Sequence, residues 1–166
     1  TDKSTLNSSP HLKESIQKPI KQELETNFDA PVYLENDAHL GGLGEASFGA
    51  GKDFSIVAFI TIGTGIGGVR IVDKKIDRNS SGFEPGHQVI DINGGLCSCG
   101  GIGHLESYIA GSYLKKLYGL NAKDLKDEEV WDEISKYLAS GLNNTIVHWS
   151  PDVVILSGSV SQNIPL

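Results

Sequence analysis

Two histidines and two cysteines stand in the pattern H-x9-C-x-C-x4-H: His87, Cys97, Cys99 and His104. Two thiolates and two imidazoles make a good tetrahedral set for Zn²⁺, and soft thiolates favour zinc over magnesium or calcium. Gly94, Gly95, Gly100, Gly101 and Gly103 let the chain wrap tightly around an ion. No fifth donor is needed, so the pattern points to a closed structural site. Both cysteines of the chain fall in this one glycine-rich loop. Their spacing is awkward for a mutual disulfide, because an extended chain points alternate side chains the same way but too far apart. A metal pair in a reducing cytoplasm fits better. The competing reading is two ordinary buried cysteines beside two unrelated histidines.

Carboxylates flank this cluster. Glu84 opens Glu84-Pro85-Gly86-His87, and Glu106 follows His104 closely. A metal that folds the loop brings Glu84 and Glu106 towards one place, as sugar hydroxyls require. Asp37 lies in Glu35-Asn36-Asp37-Ala38 after a short apolar run. A carboxylate at a strand end can take a proton from a substrate hydroxyl. Asn36 beside it offers both donor and acceptor to a polyol. A turn or N-cap aspartate is the plain alternative for Asp37. Glu45, Asp53, Asp73 and the acidic run over 124–129 read as solvated surface, and His11, His39 and His148 as structural or exposed.

A third feature is Gly63-Thr64-Gly65-Ile66-Gly67-Gly68. Backbone N–H groups in such a turn can approach phosphate oxygens. It is not a dinucleotide fingerprint, because a second strand follows rather than a helix, and it lacks Gly-Lys-Ser/Thr. A glycine-rich hairpin is the alternative.

These residues need elements to hold them. The nearly all-apolar run 55–62 predicts a buried strand feeding the glycine turn. Residues 69–77 predict a hairpin around Asp73-Lys74. Leu12, Ile16, Ile20, Leu24 and Phe28 step regularly by four, predicting a helix that Pro19 breaks or kinks. Pro31–Leu34 and Gln88–Ile90 read as short strands, and 38–49 as a small-residue helix. A helix over 104–118 closes on Gly119. The stripe from Val130 to Trp149, with Asp127, Glu128 and Glu129 at its start, predicts the longest helix, stopped by Ser150-Pro151. A last strand, 152–156, runs into Ser157-Gly158-Ser159.

The chain has 166 residues and a net charge of −7, with 39% hydrophobic residues. That suits one domain or parts of two, and argues against a chain-wide basic footprint for nucleic acid. No apolar run reaches membrane-spanning length, and the polar start is not a signal peptide. Methionine is absent even at position 1, and the final strand leads to no helix. The expectation is therefore a fragment.

Together, Glu35-Asn36-Asp37-Ala38, the Thr61–Gly68 segment, Glu84-Pro85-Gly86-His87 and Cys97-Ser98-Cys99-Gly100-Gly101-Ile102-Gly103-His104-Leu105-Glu106 resemble the ROK family of repressors, open reading frames and kinases. The resemblance implies an α/β, actin-like (ribonuclease H-like) ATPase fold, present here as parts of two lobes. Residues 1–50 would carry the end of the small lobe and the interlobe helix, and 51–166 the large lobe with its zinc loop. It implies ATP-dependent phosphorylation of a hexose or amino-hexose, with Mg²⁺, ATP and a structural Zn²⁺. Asp37 matches the family's catalytic base. Asn36, Glu84, His87 and Glu106 match its sugar-binding residues, and Gly63, Thr64, Gly65 and Gly67 its second phosphate loop. His87, Cys97 and Cys99 match zinc ligands. A cytoplasmic homodimer or larger homo-oligomer is the expectation for the complete protein.

Departures accompany the match. His104 stands where the family usually has a third cysteine, making the set Cys₂His₂. Val69 replaces a usual glycine, and serines flank Gly158 where two further glycines are common. The family's first phosphate loop, Asp-x-Gly-Gly-Thr, should lie upstream of Thr1. The alternative within the family is a sugar-responsive repressor that binds DNA through a helix-turn-helix outside this chain.

Overall fold

The computed structural model describes residues 4–5, 14, 16–78, 80 and 82–164. Leu12, His11 and most of the polar start lie outside the described residues. By internal contacts the chain divides into residues 1–37 and 38–166.

In the first unit, helix α1 spans Ile20–Phe28. It begins immediately after Pro19, so the predicted helix from Leu12 is not continuous through the described residues. Proline has no N–H and fixes its own φ, which suits a helix start better than an interior. Asp29 ends α1 in a left-handed conformation. Pro31–Leu34 forms no strand. A strand exists only by pairing, and here the Val32 N–H donates instead to the Glu25 side chain, Oε1, at 3.2 Å. Helix α2 spans Asp37–Phe48, opening on the last residue of this unit.

The second unit is built on a four-stranded sheet. Strands β1 (Ile56–Ile62), β2 (Ile66–Val72), β3 (Lys75–Ile76) and β4 (Val153–Ser157) lie in the order β3-β2-β1-β4. β1 pairs antiparallel with β2 and parallel with β4. Strand β1 is covered on both faces, which explains its unbroken apolar run. Val57 and Phe59 join Ala46, Val69 and Ile71 in one core. Ile60 and Ile62 join the other, with Leu105, Ile109, Leu114, Ile134 and Leu138.

Helices α3 (Glu106–Ile109), α4 (Gly111–Tyr118) and α5 (Glu128–Trp149) supply this second core. The Asp127 side chain caps α5 by accepting from the Glu129 and Val130 N–H groups, satisfying donors that have no partner within the helix. Ser150 ends it in a left-handed turn. The single helix expected over 104–118 is two, because Ala110 is extended (φ −68°, ψ 143°) between them. The break re-aims α4: its Gly111 and Ser112 N–H groups donate to the carbonyls of Gly63 (2.8 Å) and Thr64 (3.1 Å) in the β1–β2 turn. Gln88–Ile90 contributes one bridge, Val89 to His104, rather than a strand.

Helix α2 sits against β1 and β2 at van der Waals contact. A Cβ on Gly42 would lie 2.3 Å from Val69 Cγ1, whereas one on Gly44 would meet nothing within 4 Å. Gly42→Ala is therefore expected to lower unfolding free energy by about 1–3 kcal/mol through overpacking. Gly44→Ala should raise it by up to about 1 kcal/mol through helix propensity. Urea unfolding of the two variants measures both signs.

Candidate metal centre and ligand-binding loops

The backbone of the loop explains how distant donors meet. The Val89–His104 bridge sets His104 two residues from His87 across the pair, and the Leu96–Ile102 bridge closes the loop around both cysteines. Cys97 N–H donates to Gly101 O (2.8 Å), and Gly103 N–H to Gly95 O (2.9 Å). Leu105, buried against α5, anchors the loop's far end.

One donor atom from each of His87, Cys97, Cys99 and His104 lies within 4.8 Å of the others. Cys97 Sγ is 3.9 Å from His87 Nδ1, and Cys99 Sγ is 3.2 Å from His104 Nδ1. Zinc bond lengths place tetrahedral donors about 3.3–3.8 Å apart. The residues present thus fit a zinc ion, and two thiolates would balance its charge. Burial pushes the Cys97 thiol up, but the Cys99 backbone and the Ser107, Cys99 and His104 side chains outweigh it and bring the pKa down to about 6. Cys97 is thereby prepared as a thiolate at neutral pH, the form that ligates metal. Gly101 makes room for the imidazole, since a Cβ there would lie 2.2 Å from His104 Cε1.

Glu106 begins α3 directly beyond the metal cluster. Its Oε2 accepts the Ile66 N–H at 3.0 Å, and its Oε1 accepts the Ser98 hydroxyl at 3.4 Å. Gly65 lets the carboxylate come close, since a Cβ there would lie 2.9 Å from Oε2 and push it aside. The carboxylate therefore joins the Cys-Ser-Cys loop to the glycine turn. Glu84 is exposed beside buried Pro85 and Gly86, and borders a groove with Phe83, Gln88, Asn144 and Trp149. Asn36 and Asp37 are exposed in the first unit, where Asp37 is the first residue of α2.

The glycine turn is a three-residue connection, Gly63-Thr64-Gly65, closed by Gly63 N–H to Gly65 O at 2.9 Å. Gly67 already belongs to β2. Beside the turn lies a cleft of ≈ 410 Å³ whose walls include Gly63, Thr64, Ser112, Lys115, Asn121 and Ser159. Among the described residues, Lys115 is its one charged lining residue. Neither Lys115 nor Ser98 stands out in the sequence, because a lysine and a serine carry no spacing signal.

The chain matches the ROK family over residues 1–166. It belongs to that family. The xylose repressor of Bacillus subtilis (strain 168) is 32% identical over 163 residues, covering 89% of this chain and 42% of the repressor. A ROK hexokinase from Thermus thermophilus superposes with a TM-score of 0.81 at 30% identity, over 91% of this chain and 56% of that one. A ROK family glucokinase from Streptomyces griseus, solved in complex with glucose and AMPPNP, gives 0.78 at 27% identity, over 98% of this chain and 63% of its own. The chain spans about half the length of such relatives. Its mixed sheet and covering helices correspond to that part of the actin-like ATPase fold. The Cys/His cluster agrees with the metal site the ROK resemblance implies, with His104 as the fourth donor. Among the described residues, no helix is long and apolar enough to cross a membrane.

Elemental analysis of natively purified protein is expected to find one zinc per chain. His104→Ala should lose most of it, and His104→Cys should keep it. Full zinc retention by His104→Ala would remove His104 from the ligand set.

Proposed function

We propose that the protein carrying this chain transfers the γ-phosphoryl group of Mg·ATP to a hydroxyl of a hexose or amino-hexose. The observation that supports this most is Glu106: a sugar-type carboxylate hydrogen-bonded to the glycine turn beside a cleft large enough for a nucleotide. Asp37 heading α2 adds the base that a sensor does not need.

In this reading Asn36, Glu84, His87 and Glu106 hold the hexose hydroxyls. Positioning of this kind accounts for much of the rate in phosphoryl transfer. Asp37 takes the proton of the attacking hydroxyl as its oxygen bonds to phosphorus and the bond from phosphorus to the leaving ADP oxygen breaks. Gly63, Thr64 and Gly65 in the turn, with Gly67 at the start of β2, make the phosphate loop, and the N-terminus of α4 holds the first two through their carbonyls. Mg²⁺, when bound, neutralises phosphate charge. The zinc set is structural: it fixes the loop that carries Glu106, while His87 presents its other ring edge to the sugar.

Residues 1–50 would be the end of the small lobe with the interlobe helix, and 51–166 the large lobe. The complete protein would be a cytoplasmic homodimer or larger homo-oligomer. A second reading is favoured by the similarity to the xylose repressor: the same residues bind sugar and signal to a DNA-binding part.

Turnover of a hexose panel with Mg·ATP by the full-length protein tests the proposal. Phosphorylation of at least one hexose is expected. Asp37→Ala should lower kcat by about 10²–10⁴-fold while hexose binding persists. Hexose binding without turnover, coupled to release of DNA, would favour the repressor reading.

A further inference from the structure

The Glu106 carboxylate is held at both oxygens by residues from different segments. Oε2 is fixed by a backbone N–H, that of Ile66, which no side-chain substitution removes. Oε1 accepts a long hydrogen bond, 3.4 Å, from the hydroxyl of Ser98, the residue between Cys97 and Cys99, whose Oγ also lies 4.0 Å from Cys97 Sγ. Among the described residues, no other partner reaches Oε1.

A carboxylate offers roughly four acceptor positions, so two remain for ligand donors. Their directions depend on rotation of the terminal carboxylate, which is intrinsically soft. One anchor leaves that rotation free, and two anchors set the plane. Ser98 is exposed, so it adds little to the core. Its place within the Cys-x-Cys turn ties its position to the metal cluster rather than to helix packing.

We propose that Ser98 is a positioning residue for hexose recognition, acting through Glu106. It aims the two open acceptor positions of the carboxylate at a pair of sugar hydroxyls. This inference rests on the sugar-binding half of the function proposed above. It also gives the metal loop a direct part in recognition, through the hydroxyl between its two thiolates.

The test is titration calorimetry of the zinc-loaded, full-length protein with glucose, mannose, fructose, N-acetylglucosamine and N-acetylmannosamine. Wild type, Ser98→Ala and Ser98→Thr are compared, with zinc content and thermal midpoint measured on each. Ser98→Ala should weaken binding of the preferred sugar by about three- to tenfold, the range for losing one ordinary hydrogen bond, because this one is long and exposed. Ser98→Thr, which keeps the hydroxyl, should restore it, and zinc content and thermal midpoint should stay at wild-type values. Equal affinity in wild type and Ser98→Ala would overturn the inference and leave the sugar site standing. Loss of zinc together with sugar binding would make Ser98 a support of the metal and likewise overturn it. Wild type that binds none of these sugars would overturn the functional reading and this inference with it.

Discussion

Two thiol-bearing and two imidazole side chains crowd within 4.8 Å of one another, all presenting electron pairs to the same small space. Thiol–imidazole hydrogen bonds ease some of this crowding, and a divalent cation would satisfy all four electron pairs at once. The surrounding loop is otherwise held by backbone hydrogen bonds, among them Cys97 N–H to Gly101 O and Gly103 N–H to Gly95 O. Its regular structure amounts to two single bridges, Val89–His104 and Leu96–Ile102, and Ile92 and Leu96 face solvent at 83% and 69% exposure. Hydrophobic burial therefore holds this segment mainly at Cys97 and at Leu105. A bound metal would tie the four donors together and so steady the start of α3, where Glu106 is also set by buried Leu105 and the Ile66 N–H.

From that constraint the geometry propagates in a short sequence of contacts. The loop ends in Leu105, which is buried against α5, and the next residue is Glu106. The carboxylate bonds to Ile66 at the exit of the glycine turn, and the start of α4 bonds to the turn's first two carbonyls. A ligand hydroxyl at Glu106 and a phosphate at the turn would thus share one connected scaffold. Histidine at 104, where the ROK resemblance implies cysteine, would lower the negative charge of the donor set by one. The close approach of Gly101 provides the volume that the larger ring needs.

Much of the second unit was legible in the residue pattern. The long helix ending at Trp149 carries its own cap and stripe, and β1 carries an unbroken apolar run, so local signals agree with the packed result. The metal set was legible because residue type and spacing alone restrict what those side chains can do. Other features depend on partners far along the chain. Pro31–Leu34 has strand-like composition but no strand to pair with among the described residues. The break at Ala110 follows from docking α4 on the glycine turn, a contact across some fifty positions of sequence that helical periodicity does not encode. The Glu106–Ile66 bond, 40 residues apart, was equally invisible. Pro19 was legible as a break: its chemistry favours a helix start, and α1 begins directly after it.

The central claim is that the metal set organises the carboxylate that recognises sugar. Hexose binding to the protein before chelation, after zinc removal and after zinc is restored tests it most directly, read by calorimetry alongside circular dichroism. The account predicts that binding disappears with the zinc and returns with it, while the signal from α5 and the sheet persists. Unchanged hexose affinity in zinc-free protein would contradict it.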